Sequence, residues 1–135
     1  MNLKDCHNFD DFRILAKKKL PSPIFHYIDG GSDDEVTLNR NTDAFNDYDL
    51  IPNVLNDVSN IDMSTTVLGE KIDFPLFPSA TAMHRLYHHE GERASARAVE
   101  KMGTIFGTST MSTVSIEEIG QINKGPKSFQ LYIHK

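Results

Sequence analysis

Two side chains near the end of the chain have the types and spacing of a ligand site. Gln130 and Tyr132 are two residues apart in the apolar segment 128–133, and alternate residues of a strand point to the same face. One amide and one phenol on the same face can hold the edge of a heterocycle and an oxygen atom of a substrate. The same spacing also fits an ordinary strand that buries a tyrosine, and spacing alone favours that simpler interpretation.

Other arrangements that could do chemistry are weaker. His84 and His88 are four residues apart and Glu92 follows one helical turn later, but the H-E-x-x-H motif of zinc enzymes is missing. The sequence contains no P-loop, G-x-G-x-x-G or G-x-S-x-G motif, so neither a phosphate loop nor a serine triad has support. We therefore expect no metal site, and we interpret Gly30-Gly31 as the end of a helix.

Composition is that of a globular protein without a nucleic-acid role. The chain has 135 residues, 39% of them hydrophobic and 24% charged, and a net charge of −5, whereas nucleic-acid binding usually needs a basic domain. The single cysteine, Cys6, excludes an internal disulfide, and no apolar run approaches the roughly 20 residues of a membrane span. We expect a cytoplasmic protein with no transmembrane segment, and peripheral contact at the inner face of a membrane stays open.

The sequence up to about residue 70 predicts short helices and a hairpin. A first helix should begin at Asn8 or Asp10 and end at the prolines that follow it. The S-D-D-E capping box at 32–35 should open another helix. A short strand is predicted at 54–58, and a hairpin that turns at its glycine is predicted at 65–72.

The rest of the sequence alternates strand and helix in the order β-α-β-α-β. Apolar runs predict strands at 74–77, 104–106 and 128–133, and helical spacing predicts a helix at 90–102. A second capping box, Ser115–Glu118, should open a helix that ends near Ile122. Each strand is followed by small or polar residues, as at the ligand-binding end of parallel α/β sheets. The residues expected to pack the first of these helices on the sheet are Ala94, Ala98 and Met102.

These patterns predict an α/β fold with a parallel sheet, and they leave open whether the sheet closes into a barrel or is doubly wound. Residues 1–70 form one part and residues 71–135 the other. A (β/α)₈ barrel of about 250 residues has eight strands, and three are predicted here. We therefore expect a fragment with an open strand edge.

The sequence resembles the FMN-dependent α-hydroxy-acid dehydrogenases and oxidases, which include L-lactate dehydrogenases, glycolate oxidases and mandelate dehydrogenases. The resemblance runs from about Phe9 to Lys135, and its segments are short but specific in order and spacing. They are Phe25–Gly31 with Asp33–Glu35, Asp57–Thr65, Ser79–Met83, His88–Glu92, Gly103-Thr104, Ser115–Glu118 and Phe129–Tyr132. The resemblance implies the first three strands of a (β/α)₈ TIM barrel, preceded by an amino-terminal helical cap and β-hairpin.

The same resemblance implies FMN as cofactor and a small, lactate-like L-2-hydroxy acid that is oxidised to a 2-oxo acid. Tyr27 would bind the substrate carboxylate, and Tyr132, the catalytic candidate, would lie beside the substrate and stabilise its oxygen. Five residues would bind the cofactor. Ala80, Thr81 and Ala82 would line the flavin through backbone groups, and Ser109 and Gln130 would form hydrogen bonds with its ring.

The sequence departs from the family at two site positions and ends before other parts of the site. Ala80 stands where many members have proline, and Met111 stands where several oxidases have tryptophan, which leaves a more adaptable pocket. The family's catalytic histidine, carboxylate-binding arginines, flavin-contacting lysine and phosphate loops lie in later strands, and His134 is not that histidine.

We therefore expect the chain alone to be inactive and to bind FMN poorly, because a base and a cationic clamp are needed for turnover. The parent enzyme is expected to be a homo-oligomer. A non-catalytic truncated interaction module and a piece of another FMN barrel enzyme are the alternatives.

Overall fold

The computed structural model describes residues 2–133, which form two compact units divided between Asn56 and Asp57. The sequence pattern changes later, near residue 70, and the domains predicted from it, 1–70 and 71–135, stay a prediction. His134, which the family resemblance excludes as a catalytic base, lies outside the described residues. Within the described part of the chain, no helix has the length and apolar character to cross a membrane.

The first unit contains three short α-helices and two 3₁₀ turns. The first helix begins where the sequence predicts, because the Asn8 side chain accepts a hydrogen bond from the amide of Asp11 at 2.9 Å and so caps the first turn. Three lysines in its last turn stabilise the helix, because their positive charges lie at the negative end of the helix dipole. The elements are Leu3–Asp5 (3₁₀), α1 (Phe9–Lys19), α2 (Ser22–Asp29), α3 (Val36–Asp43) and Ala44–Asp47 (3₁₀).

An ion pair joins α1 to α2. The Arg13 guanidinium donates to both carboxylate oxygens of Asp29, with distances of 2.5 and 3.0 Å. This hydrogen bonding lowers the pKa of the Asp29 carboxyl and raises the pKa of Arg13. Each helix also buries one apolar side chain, Leu15 in α1 and Phe25 in α2. The bidentate pair and these buried side chains hold α2, which carries Tyr27, against α1.

Two predictions for the first 60 residues are wrong. No capping box forms at 32–35, because α3 begins at Val36 and Glu35 precedes it in the left-handed region, with φ +57° and no side-chain cap. The Glu35 carboxylate instead accepts a hydrogen bond from the amide of Gly31 at 3.0 Å. The segment 54–58 contains no strand and is exposed throughout, since no neighbouring backbone pairs with it.

The second unit contains an antiparallel hairpin and a pair of parallel strands. The hairpin confirms the prediction for 65–72, and it turns at Leu68 and Gly69 with φ of +54° and +87°. A helix connects the parallel strands, as parallel pairing requires. The elements are β1 (Thr65–Val67), β2 (Glu70–Ile72), His84–Leu86 (3₁₀), α4 (Glu92–Met102), β3 (Phe106–Ser109), α5 (Ile116–Ile122) and β4 (Lys127–Gln130).

Strand β3 and both helices share one core. Phe106 lies opposite Lys127 and Ser109 lies opposite Gln130 in the ladder, and every residue of β3 is buried. Phe106 is 1% exposed, and burial of such a side chain stabilises the fold by about 1.5 to 3 kcal/mol. The core side chains are Ala96, Val99, Phe106, Val114 and Ile119, with Ile122 packed against them.

The strand predicted at 74–77 is absent. This segment lies beside the start of β3, where the Thr104 hydroxyl donates to the carbonyl of Leu76 at 2.9 Å. Pro75 and Pro78 have no amide hydrogen, so a continuous ladder cannot form along the segment. Of the three predicted parallel strands, two therefore form and pair with each other in the described chain, and the segment 74–77 stays unpaired.

Helix α4 has the predicted end but a different start and buried face. It begins at Glu92, after Gly91 with φ +56°, and it ends at Met102, before Gly103, which has φ +62° and closes the last turn. Both glycines hold a backbone conformation that other residues rarely adopt. The buried side chains are Glu92, Ala96 and Val99, not the predicted Ala94, Ala98 and Met102.

Glu92 is a buried carboxylate, 2% exposed, that joins three segments. It accepts hydrogen bonds from the amide and the hydroxyl of Thr113, at 2.8 and 2.5 Å, and from the amide of His84 at 3.3 Å. Burial by itself would raise the pKa of the Glu92 carboxyl, but these hydrogen bonds outweigh burial and hold the pKa below its ordinary value. The charged carboxylate thus fixes the turn before α4 and the loop after β3.

We predict that Glu92→Gln lowers the free energy of unfolding at pH 7 by about 1 to 3 kcal/mol, because a buried charged acceptor is lost. Since the folded-state pKa is lowered, the stabilisation by Glu92 is present above about pH 4.3 and is lost as pH falls through the folded-state pKa. The difference between parent and variant should therefore shrink in acid.

Urea unfolding at pH 7, 5, 4 and 3 measures this difference. Glu117→Gln is the matched control, because Glu117 is an exposed glutamate in the first turn of α5; its effect should stay below about 0.5 kcal/mol. Equal stability of Glu92→Gln and the parent at pH 7 would contradict the prediction.

Candidate functional site

The carboxyl ends of β3 and β4 bring two of the predicted site residues together. Ser109 and Gln130 are partners in the parallel register, and the Ser109 hydroxyl donates to Gln130 Oε1 at 3.3 Å. Ser109 is 4% exposed, and its hydroxyl oxygen accepts a hydrogen bond from the amide of Met111 at 3.1 Å. A hydroxyl and an amide therefore lie side by side at the edge where parallel α/β sheets bind their ligands.

The segment Ala80–Ala82 is fastened along β3 at both of its ends. At its start, Gly107 approaches so closely that an added Cβ would lie 2.8 Å from the nitrogen and 3.1 Å from the Cα of Ala80. Just after its end, the amide of Met83 donates to the carbonyl of Met111 at 3.0 Å. Within the described residues, the amides of Thr81 and Ala82 donate no hydrogen bond to other groups. Two backbone donors without an acceptor among the described residues therefore lie in a segment that is held to Gly107 at one end and to Met111 at the other.

Tyr132 lies near this edge, but not in the way that the sequence predicts. β4 ends at Gln130, so the prediction that both side chains share one face of a strand at 128–133 is wrong. The physical reason is the partner: β3 ends at Ser109 and the chain then turns, so no continuous ladder extends beyond it. Tyr132 is 49% exposed, and its amide donates to the Thr110 hydroxyl at 3.1 Å.

Tyr27 belongs to the first unit. It lies on α2 and is 56% exposed, and the Arg13–Asp29 ion pair fixes its helix against α1. Its assignment as a ligand of the substrate carboxylate stays a prediction.

The histidine and glutamate residues with metal-like spacing have other partners. Glu92 is engaged by His84 and Thr113 through the hydrogen bonds given above, and His84 Nδ1 lies 3.2 Å from the Ser95 hydroxyl. Among residues 2–133, no group of three histidine, cysteine, aspartate or glutamate side chains is arranged to hold a metal ion.

Three residues that hold this edge were not predicted from the sequence. Gly107 carried a usable signal, because a glycine within a buried strand often marks the close approach of another backbone. Thr110 and Thr113 carried none, since they lie in a run of hydroxyl residues in which spacing does not single out either one. Both bond to groups that are distant in the sequence.

The assembled edge is polar and uncharged. The predicted cofactor residues offer two hydroxyls, one side-chain amide and backbone amides, and the phenol of Tyr132 follows them in the chain. Such groups suit the edge of a planar heterocycle, whose nitrogen and oxygen atoms accept and donate hydrogen bonds. They do not neutralise a phosphate or a carboxylate, which needs cationic side chains.

Comparison with known protein families identifies a match along most of the chain. A sequence profile described as FMN-dependent dehydrogenase matches residues 16–135. Glycolate oxidase of Spinacia oleracea is 42% identical over 128 residues, which are 95% of this chain and 35% of the length of that enzyme. The chain thus spans about a third of the curated relatives that it matches.

Two solved structures share the fold of the chain. A putative lactate oxidase of Pediococcus acidilactici superposes with a TM-score of 0.84 and 32% identity, over 97% of this chain and 37% of that one. A soluble mutant of the membrane-associated (S)-mandelate dehydrogenase of Pseudomonas putida superposes with a TM-score of 0.83 and 36% identity, over 98% of this chain and 37% of that one.

We predict that Gly107→Ala destabilises the second unit by about 1 to 3 kcal/mol, because the new Cβ would overlap the backbone of Ala80. Gly120→Ala is the matched control. An added Cβ at Gly120 meets no atom within 4 Å, and alanine is favoured over glycine inside a helix by up to about 1 kcal/mol. Urea unfolding should therefore give opposite signs for the two variants.

Amide NMR shifts should locate the first effect at residues 80–82. The prediction is contradicted when Gly107→Ala unfolds at the parent's urea concentration and leaves those shifts unchanged.

Proposed function

This chain belongs to the FMN-dependent dehydrogenase family, and from that premise we propose that it forms the first part of the flavin and substrate site of an enzyme that oxidises a small L-2-hydroxy acid to a 2-oxo acid. The observation that carries the proposal is the pairing of Ser109 with Gln130 beside the segment Ala80–Ala82. These five residues are the ones that the family resemblance assigns to the flavin, and the contacts of Ser109 with Gln130 and of Ala80 with Gly107 in β3 support the proposal.

The residues fit FMN, the cofactor of the family. The amides of Thr81 and Ala82 have no acceptor among the described residues, and a flavin edge offers acceptors for such donors. Ser109 and Gln130 would hold the ring, and the backbone of Ala80–Ala82 would line it. FMN, when bound, supplies the two-electron acceptor for the oxidation. The protein's own part is to orient the substrate against the ring.

Two tyrosines would contact the substrate. The phenol of Tyr132 would donate a hydrogen bond to the substrate oxygen and so stabilise the negative charge that develops there. The phenol of Tyr27 would bond the substrate carboxylate. Because the proposed site residues of this chain carry no charged side chain, the cations for the phosphate and the carboxylate would come from other parts of a complete (β/α)₈ barrel.

We propose a lactate-like substrate, although relatives named for glycolate, lactate and mandelate all match the chain. Met111, 45% exposed at the end of β3, is a flexible side chain that would adapt to a small alkyl group. A homo-oligomeric, cytoplasmic enzyme completes the proposal.

We predict that a hybrid of residues 1–135 and the part of spinach glycolate oxidase that follows the matched segment retains FMN and turns over a small hydroxy acid. In this hybrid, Tyr132→Phe should lower kcat by about 10- to 100-fold, because one hydrogen bond to the developing oxyanion is lost. Anaerobic flavin reduction by lactate, glycolate and mandelate measures the effect and ranks the substrates.

Tyr48→Phe is the matched control, since Tyr48 is 78% exposed in the first unit and no role is proposed for it; its kcat should equal that of the hybrid. A hybrid that folds and retains FMN but reacts equally well with and without the Tyr132 phenol would overturn the assigned role.

We predict further that the 135-residue chain by itself does not retain FMN and does not oxidise lactate, because its proposed site offers only neutral donors. Gel filtration followed by flavin absorbance measures retention. Protein that elutes with one flavin per chain, or flavin that is reduced on addition of lactate, would refute this expectation.

A further inference from the structure

Thr110 stands between two of the proposed site residues. It directly follows β3, and its amide donates to the carbonyl oxygen of Gln130 at 3.0 Å. Its hydroxyl donates to the same oxygen at 2.6 Å, and the hydroxyl oxygen accepts a hydrogen bond from the amide of Tyr132 at 3.1 Å. One side chain therefore contacts the backbone of both residues.

This geometry differs from a continued parallel ladder. The bond from the Thr110 amide to the Gln130 carbonyl continues the parallel ladder. The next bond of a regular ladder would run from the amide of Tyr132 to the backbone carbonyl of Thr110. Here the amide of Tyr132 donates to the side-chain hydroxyl instead. β4 accordingly ends at Gln130, and the backbone of Tyr132 is placed by a side chain rather than by strand pairing.

We propose that Thr110 is a positioning residue, whose hydroxyl sets the phenol of Tyr132 relative to the side chain of Gln130. The inference rests on the proposed function, in which Tyr132 contacts the substrate and Gln130 contacts the flavin. Only a group that donates and accepts at once can bridge a carbonyl and an amide, and a hydroxyl does both. A misplacement of about 1 Å at a reacting centre can lower the rate about 100-fold.

Two substitutions separate the hydroxyl from the shape of the side chain. Thr110→Val keeps the branched shape and removes both hydrogen bonds of the hydroxyl. Thr110→Ser keeps the hydroxyl and removes only the methyl group. A positioning role through the hydroxyl requires the serine variant to behave like the parent and the valine variant to differ.

The bridge is tested first in the 135-residue chain, by the amide hydrogen exchange of Tyr132 in ¹⁵N-labelled protein. Thr110→Val should speed this exchange on the order of tenfold, and Thr110→Ser should leave it within about threefold of the parent. The amide of Met111 is the internal control, because it donates to Ser109 and not to Thr110. Unchanged exchange at Tyr132, or equal acceleration at Tyr132 and Met111, would overturn the proposal.

The functional consequence is tested in the hybrid enzyme by a double-mutant cycle. Thr110→Val should lower kcat on the order of tenfold with a smaller change in KM. Thr110→Ser should keep the kcat of the parent hybrid. In a Tyr132→Phe background, Thr110→Val should lower kcat by less than about twofold, since the phenol hydroxyl that it positions is already gone.

The outcomes distinguish the two ideas. An equal loss from Thr110→Val in both backgrounds would overturn the positioning role, because Thr110 would then act independently of Tyr132. Turnover that is insensitive to Tyr132→Phe would overturn the proposed function instead, and the exchange rates would then decide by themselves whether Thr110 holds Tyr132.

Discussion

The parallel ladder between β3 and β4 is the constraint on which the rest of the second unit depends. Its register places Ser109 opposite Gln130, so a hydroxyl and an amide that are 21 positions apart meet at one edge. Parallel pairing also requires a crossover, which α5 provides after Ser115 caps its first turn. Burial of Phe106 against both helices holds this register, because a shift by one residue would turn every side chain of the strand to the other face.

A second constraint acts on the segments that flank the ladder, which have little regular structure of their own. The carboxylate of Glu92 fixes two of them at once through hydrogen bonds from His84 and Thr113. A buried charge is tolerated only with such partners. The close approach of Gly107 to Ala80 aligns the segment Ala80–Ala82 with β3. The site edge is therefore built from strand ends and loops, and each loop is held by a specific contact to α4 or to β3.

The side chains of the proposed site limit which parts of the cofactor and substrate this chain can bind. The groups in this chain are neutral hydrogen-bond donors and acceptors, which orient a ring and a substrate but neutralise no charge. Flavin phosphate and substrate carboxylate both require cations. The match to about a third of the length of glycolate oxidase agrees with a partial site of this kind.

Local signals determined the parts of the structure whose stabilising groups are close in sequence. Asn8 predicted the start of α1, Ser115 predicted the start of α5, and the glycine at 69 predicted the hairpin turn, because caps and turns depend on neighbouring residues. The family segments also assign five residues to the flavin, and that assignment stays a prediction. Tertiary structure decided the rest: whether 74–77 pairs as a strand, which face α4 buries, and where β4 ends. Each of these depends on partners distant in sequence. The predicted and the buried face of α4 both have helical spacing, and Phe106, Val114 and Ile119 pack against the buried one. β4 ends at Gln130 because its partner β3 ends at Ser109 and the chain then turns.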